Sequence, residues 1–140
     1  MGARLDDDEL RLLVQRVARR IRNNRRDESM SDSQLGVLFL LEKSGDASPS
    51  ELADHERVSP PSMNRTLNGL EESGLVRRAP SPDDARKVIV SITDEGRELI
   101  RETRRLRTAW FSRQLSALSR EERAAMEAVI PILRRIADAP

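Results

Sequence analysis

The side chains best equipped for chemistry in this sequence are arginines, and two of them stand where the chain would expose them. Arg86 follows Asp84 by two residues, at the end of a turn-rich stretch, Pro80-Ser81-Pro82-Asp83-Asp84-Ala85. A carboxylate so placed can accept from the guanidinium and hold it extended, and an extended guanidinium suits a narrow, electronegative minor groove. Lys87 adds a second cation beside it. Arg65 and Asn68 stand three residues apart, shortly after Ser59-Pro60-Pro61-Ser62. At base edges arginine pairs with guanine and asparagine with adenine. The set therefore points to nucleic acid. A solvated helix arginine and a plain Asp84–Arg86 ion pair are the bland readings of the same residues.

Other chemistries are poorly supplied. Cysteine is absent, which removes thiolate nucleophiles, disulfides and Cys-ligated metals. His55 is the single histidine, so a Ser-His-Asp triad or a His-rich metal site is not expected, and it reads as a surface or capping residue. There is no Gly-rich phosphate loop. The expectation is a protein that is not an enzyme and uses no metal or cofactor. Asp6-Asp7-Asp8-Glu9 reads as the acidic start of a helix, favoured by the helix dipole. It is also the wrong sign for a secretory leader, and no run of about 18 apolar residues spans a membrane, so a cytoplasmic protein is expected.

At 140 residues, with 35% charged and 37% apolar, the chain is one compact domain or two small subdomains of slender, helical character. A large α/β barrel is excluded by length. Basic and acidic residues nearly cancel, 25 against 24, so only their distribution is informative. Residues 11–26 carry seven arginines and no acid. These read as a solvated face with pairs across a subunit interface; a role toward an anionic ligand or DNA backbone is the alternative.

The elements follow from periodicity and caps. Leu10, Leu13, Val14, Val17, Ala18 and Ile21 form one apolar helical stripe. Ser31 with Gln34 is a capping box before the apolar run 35–41, and Ser44-Gly45 ends that helix. Ser48-Pro49 opens a short helix over 49–55, and Ser59-Pro60 opens a longer one through Ser73, stopped by Gly74. Short helix, tight turn, longer helix is helix-turn-helix geometry. On the longer helix Met63, Leu67 and Leu70 face the core, while Pro61, Arg65 and Asn68, flanked by Ser62 and Asn64, face outward. The start of that helix is expected to offer unpaired amides to phosphate. Strands at 75–78 and 88–92 make a hairpin, the order of a winged helix, whose second helix enters the major groove while the wing reaches the neighbouring backbone or minor groove. Thr93 caps a helix to about Leu118, and Ser119 with Glu122 opens a last one, with Pro131 expected to kink it. Leu99, Ile100, Leu106, Trp110, Phe111 and Leu115 are more apolar surface than one thin lobe covers, which calls for a twofold partner. Trp110 is assigned to that interface.

Residues 51–76 and the wing, Ser81 through Gly96, resemble the MarR family of transcriptional regulators. The wing carries the family's Asp-x-Arg as Asp84-Ala85-Arg86, and its Thr-x-x-Gly helix start as Thr93 and Gly96. Ala85 stands where the family is often basic and Asn64 where threonine is common; both bear on sequence preference. The resemblance implies a mainly α fold with a small β-hairpin wing: a winged helix-turn-helix over 31–93 (recognition helix 59–73, wing 75–93), flanked by dimerisation helices at 1–30 and 94–140. It further implies a homodimer on a pseudo-palindromic double-stranded operator, contacted by Ser59, Pro61, Ser62, Asn64, Arg65, Asn68, Asp84, Arg86 and Lys87. A repressor released by a small aromatic or anionic effector is the expected mode, with Val17, Arg20, Leu38 and Arg107 as candidate walls of the effector crevice. A winged-helix adaptor that binds protein and not DNA is the alternative.

Overall fold

The computed structural model describes residues 4–140; residues 1–3 of the N-terminal segment lie outside the described residues. Each helix begins where a side-chain oxygen takes up a first-turn amide. Asp6 accepts from the Glu9 N–H ahead of α1 (Asp7–Arg22), and Ser31 and Gln34 cap each other reciprocally at α2 (Asp32–Ser44). Ser48 opens α3 (Pro49–Glu56) and Ser59 opens α4 (Pro60–Glu72). Thr93 caps α5 (Asp94–Ser116), and a second reciprocal box, Ser119 with Glu122, starts α6 (Arg120–Ala137). Between α4 and α5 lie the antiparallel strands β1 (Val76–Pro80) and β2 (Val88–Ile92), with Val76 opposite Ile92 and Pro80 opposite Val88. The fold is thus mainly helical with one small hairpin, as expected. Pro131 does not interrupt the helical span of α6.

Two details differ from the sequence reading. The first strand begins at Val76, not Leu75, and runs on to Pro80. Leu75 instead closes α4. Its N–H donates to the Leu70 carbonyl at 2.9 Å and the Gly74 N–H to the Glu71 carbonyl at 3.0 Å, with Gly74 at φ 76°. That pair of bonds is a Schellman stop, and the left-handed residue it needs is the glycine. The second difference is a third pairing element. Ala47 forms an isolated bridge to Val90, with N···O distances of 3.2 and 2.7 Å, so β2 is flanked on both edges.

The core lies between α2, α3, α4, the hairpin and the first half of α5. Leu38, Leu52, Leu67, Leu70, Val90 and Ile100 have no exposed surface. The surplus read along α5 divides accordingly: Leu99 and Ile100 are consumed by this core, whereas Leu106, Trp110, Phe111 and Leu115 are only half-buried. Neither α1 nor α6 buries any residue. The link from α1 to α2 is folded around Arg25, whose side chain is only 10% exposed. It donates to the Met30 carbonyl at 2.7 Å and the Arg22 carbonyl at 2.9 Å, and it pairs with Asp32. Arg26 reaches Glu102 of α5 at 2.9 Å. Of the seven arginines Arg25 is therefore an internal tie, and Arg26, still half exposed, is paired within the chain.

The end of α4, both ends of the hairpin and the start of α5 meet at one point. The Thr93 hydroxyl donates to the Gly74 carbonyl at 2.7 Å, and its N–H donates to the Leu75 carbonyl at 3.0 Å. Gly96 packs against the same carbonyl so closely that a Cβ would sit 2.4 Å from the Leu75 oxygen and 2.7 Å from Ile92 Cγ1. Backbone cannot yield as a flexible side chain can. Gly96→Ala is therefore expected to cost roughly 1–3 kcal/mol of stability, the usual range for overpacking. Thermal or urea denaturation would show it; an unchanged midpoint would mean the junction relaxes freely.

Candidate nucleic-acid interface

Helix α4 lies with Met63, Leu67 and Leu70 buried and Pro61, Asn64, Arg65 and Asn68 exposed, the division its periodicity implies. The turn before it is tight because Arg57 adopts a left-handed conformation, φ 55°, with the Val58 N–H donating to the Ala53 carbonyl at 3.1 Å. On the exposed face Arg65 Nη2 donates to Ser62 Oγ at 3.1 Å, and Thr66 Oγ1 donates to the Ser62 carbonyl at 3.2 Å.

The start of α4 corrects one expectation. Its amides are not open to phosphate. Pro60 and Pro61 have no N–H to offer, and the Ser62 N–H is taken by Ser59 Oγ at 3.3 Å. What remains there is the Ser59 N–H, the hydroxyl hydrogens of Ser59 and Ser62, and the helix dipole.

At the wing tip Asp84 accepts three bonds from Arg86: from its backbone N–H at 3.0 Å, from Nε at 3.1 Å and from Nη2 at 3.3 Å. The Lys87 N–H closes the turn onto the Asp84 carbonyl at 2.9 Å. Asp84 is largely covered, yet the Arg86 side chain is 91% exposed. The guanidinium is thus anchored on one edge and open on the other. These hydrogen bonds, the side-chain ones first, hold the Asp84 carboxyl below the usual carboxylate range.

Sequence reasoning missed Arg78 and Glu71. Arg78, on β1, donates from its backbone N–H to Glu71 Oε2 at 3.1 Å and from Nη2 to Glu71 Oε1 at 3.1 Å. The same Nη2 lies 2.6 Å from Asn68 Oδ1. The signal available was an arginine in an edge strand and an acid at the end of the preceding helix, seven residues apart.

The candidate effector residues are brought together only in part. Arg20 lies over the Trp110 ring at 5.1 Å, and Arg107 over the Phe39 ring at 5.1 Å, along the seam of α1, α2 and α5. Arg107 donates to the Arg22 carbonyl at 3.3 Å, but its buried Nε has no partner. Burial, then the neighbouring Arg25 and Arg22 charges, weaken its hold on the proton. Leu38 is enclosed in the core with no exposed surface, so it lines no open crevice, whereas Val17 is exposed on α1. A surface depression of about 630 Å³ runs along α1 past Leu12, Leu13, Arg16 and Arg19, and none of the four candidates lines it. His55 is exposed beside Glu56, as a surface residue. Among the described residues no cluster of His, Cys, Asp or Glu could hold a metal, and no helix is long and apolar enough to cross a membrane.

Helix-turn-helix, hairpin and an anchored arginine at its tip define a winged helix-turn-helix protein. Residues 30–88 match the MarR family. An HTH-type transcriptional regulator of Mycobacterium bovis is 39% identical over 136 residues, 97% of this chain and 94% of that protein. A Pseudomonas aeruginosa protein assigned as a transcriptional regulator superposes with a TM-score of 0.83 at 33% identity, covering 95% and 94% of the two chains. FabT of Streptococcus pneumoniae, solved in complex with DNA, shares the fold at 21% identity and a TM-score of 0.70, over 95% and 98% of the chains. The chain belongs to the MarR family of helix-turn-helix transcriptional regulators, a family of regulators and not of enzymes.

The Asp84–Arg86 geometry carries its own check. Because the folded carboxyl is depressed, the tie is complete at neutral pH, persists below the ordinary carboxylate range, and is lost as pH falls through the lowered value. Carboxyl-carbon NMR should place the Asp84 midpoint below that of an unfolded peptide, and Arg86→Ala should raise it. An ordinary midpoint in the parent would mean the tie is absent in solution.

Proposed function

We propose that this regulator binds a pseudo-palindromic double-stranded operator as a homodimer, represses by occupying it, and is released by a small anionic aromatic effector. The observation that carries DNA binding is the wing: a guanidinium 91% exposed while fixed by Asp84, beside a helix face presenting Arg65 and Asn68. An adaptor with no DNA partner has no use for that arrangement. The fold is shared with a protein solved in complex with DNA, and helix-turn-helix geometry supplies the docking mode, with the second helix in the major groove and the wing at its flank. Ser59, Ser62 and Lys87 serve phosphate, through hydroxyl and ammonium donors.

Dimerisation is supported by α1 and α6. Leu10, Leu13, Val14 and Val17 on one, and Ile130, Leu133 and Ile136 on the other, are exposed stripes that a single chain leaves in water. A twofold partner offering the same helices covers both. The effector reading is supported by the seam of α1, α2 and α5. Arg107, crowded by Arg22 and Arg25 with Asp32 offsetting only part of that, would be relieved by a carboxylate.

Gel shifts and fluorescence titrations on a selected duplex test this reading. Arg65→Ala should cost roughly 1–3 kcal/mol and relax preference at one position per half-site. Arg86→Ala should weaken binding and lower the salt slope by about one. Asp84→Ala should also weaken it, although it removes a negative charge near phosphate. Tighter binding by Asp84→Ala at every salt concentration would refute the anchoring role. Binding without salt dependence, or none at all, would favour the adaptor. Sedimentation should give a dimer, and removal of residues 1–26 or a cut after Leu118 should give insoluble chain. A folded, DNA-binding monomer from either would overturn the dimer. A small aromatic acid should lower operator affinity in the parent and not in Arg107→Ala; equal responses would refute that seam as the effector site.

A further inference from the structure

We infer that Arg78 is a specificity-positioning residue, which turns the Asn68 side chain so that only its amide N–H donors face the DNA groove. The inference rests on the reading of α4 as the recognition helix. A guanidinium has donors and no acceptor. The Asn68 atom 2.6 Å from Arg78 Nη2 must therefore be the carbonyl oxygen, and the amide nitrogen points away from the wing.

Arg78 is itself held. Glu71 accepts from its backbone N–H at 3.1 Å, from Nε at 3.4 Å and from Nη2 at 3.1 Å. The Arg78 side chain is 25% exposed, partly enclosed between α4 and β1. The Glu71 carboxyl is held below the usual range chiefly by the Arg78 hydrogen bond, so the clamp is charged and closed at neutral pH. Both ends of the clamp are fixed by secondary structure: Glu71 and Asn68 are three residues apart on α4, and Arg78 is locked in the hairpin register opposite Val90.

The consequence is a change in what Asn68 can read. Preference for adenine requires one acceptor, for the N6 amino group, and one donor, for N7. With its oxygen turned toward Arg78, Asn68 has only the donor half. Guanine presents N7 and O6, adenine N7 and thymine O4, so a donor alone finds an acceptor on any of the three and is refused only by cytosine. The adenine pairing expected from residue type is replaced by tolerance of adenine, guanine and thymine alike.

Selection from a random duplex library, followed by Kd values on base-substituted duplexes, tests this with full-length parent, Asn68→Ala, Arg78→Met and Asn68→Asp. The position whose profile flattens in Asn68→Ala is the one Asn68 reads. There the parent should bind adenine, guanine and thymine within about twofold of each other. Arg78→Met frees the amide to rotate, and adenine should gain on guanine by about tenfold. Asn68→Asp keeps an acceptor for Arg78 but turns the outward donor into an acceptor. Its preference should move to cytosine, whose N4 donates, whatever uniform loss the added charge causes.

Adenine preference in the parent at that position would overturn the inference. So would an Arg78→Met profile matching the parent in protein of unchanged melting temperature. If Arg78→Met does not fold, Asn68→Asp decides: a retained refusal of cytosine overturns the inference, a move to cytosine supports it. No flattened position in Asn68→Ala would end the inference while leaving the α4 reading to stand on Arg65→Ala. A parent with no sequence preference at all would remove that reading and this inference together.

Discussion

The geometry of the molecule depends on the few backbone atoms where α4 stops and α5 starts. Gly74 and Leu75 seal the helix, the Leu75 carbonyl accepts the Thr93 N–H, and Gly96 presses on that same carbonyl. Thr93 also caps α5 and bonds the Gly74 carbonyl, so one residue ends the hairpin, begins a helix and braces another. The recognition helix, the wing and the long helix leading to the chain's C-terminal end are thereby referenced to a single point. A shift of α5 relative to the core would be felt at once in the angle between α4 and the hairpin. Close-packed junctions of this kind transmit strain and do not absorb it.

Around this junction, arginine does two different jobs. Arg25 spends its fork on backbone carbonyls and Asp32 and thereby shapes the α1–α2 link. Arg78 spends its fork on Glu71 and Asn68 and thereby joins hairpin to helix. Arg86 makes the opposite use: two of its nitrogens are anchored and the rest of the planar group is presented to solvent. Lysine would not substitute at such places, since a single ammonium cannot hold two partners in a fixed plane. Arginine thus has local structural reasons at each of these positions.

Much of this was legible from the sequence because helix starts announce themselves. Every capping residue read there, Ser31, Ser48, Ser59, Thr93 and Ser119, is a cap in the structure. The Asp84–Arg86 tie was legible because two residues in a tight tip have few other partners. What was not legible depends on register. Arg78 meets Asn68 across ten residues only because Gly74 and Leu75 fix where β1 begins, and the sequence reading set that strand one residue early. Ala47 pairs with Val90 across more than forty residues, and a single bridge leaves no periodic trace. The enclosure of Leu38 and the orphaned Nε of Arg107 are likewise matters of how α2 and α5 pack, which no local pattern encodes.

The sealed start of α4 bears on how such a surface would divide its labour. In many helix-turn-helix proteins amides at a helix start can hold phosphate directly, and that contact sets the register of the helix in the groove. Here Pro60 and Pro61 offer no N–H and Ser59 takes that of Ser62, so in the proposed complex the register is left to side chains and the wing. Backbone amides hold their geometry without help, whereas side chains lose it to rotamer entropy unless something fixes them. The structure supplies such fixing at three exposed groups: Ser62 for Arg65, Asp84 for Arg86, and Arg78 for Asn68. A surface that gives up its amide anchor and immobilises its long side chains keeps comparable precision by a different route. It also makes that precision depend on residues, such as Asp84 and Glu71, whose negative charge would otherwise have no place beside a phosphate backbone.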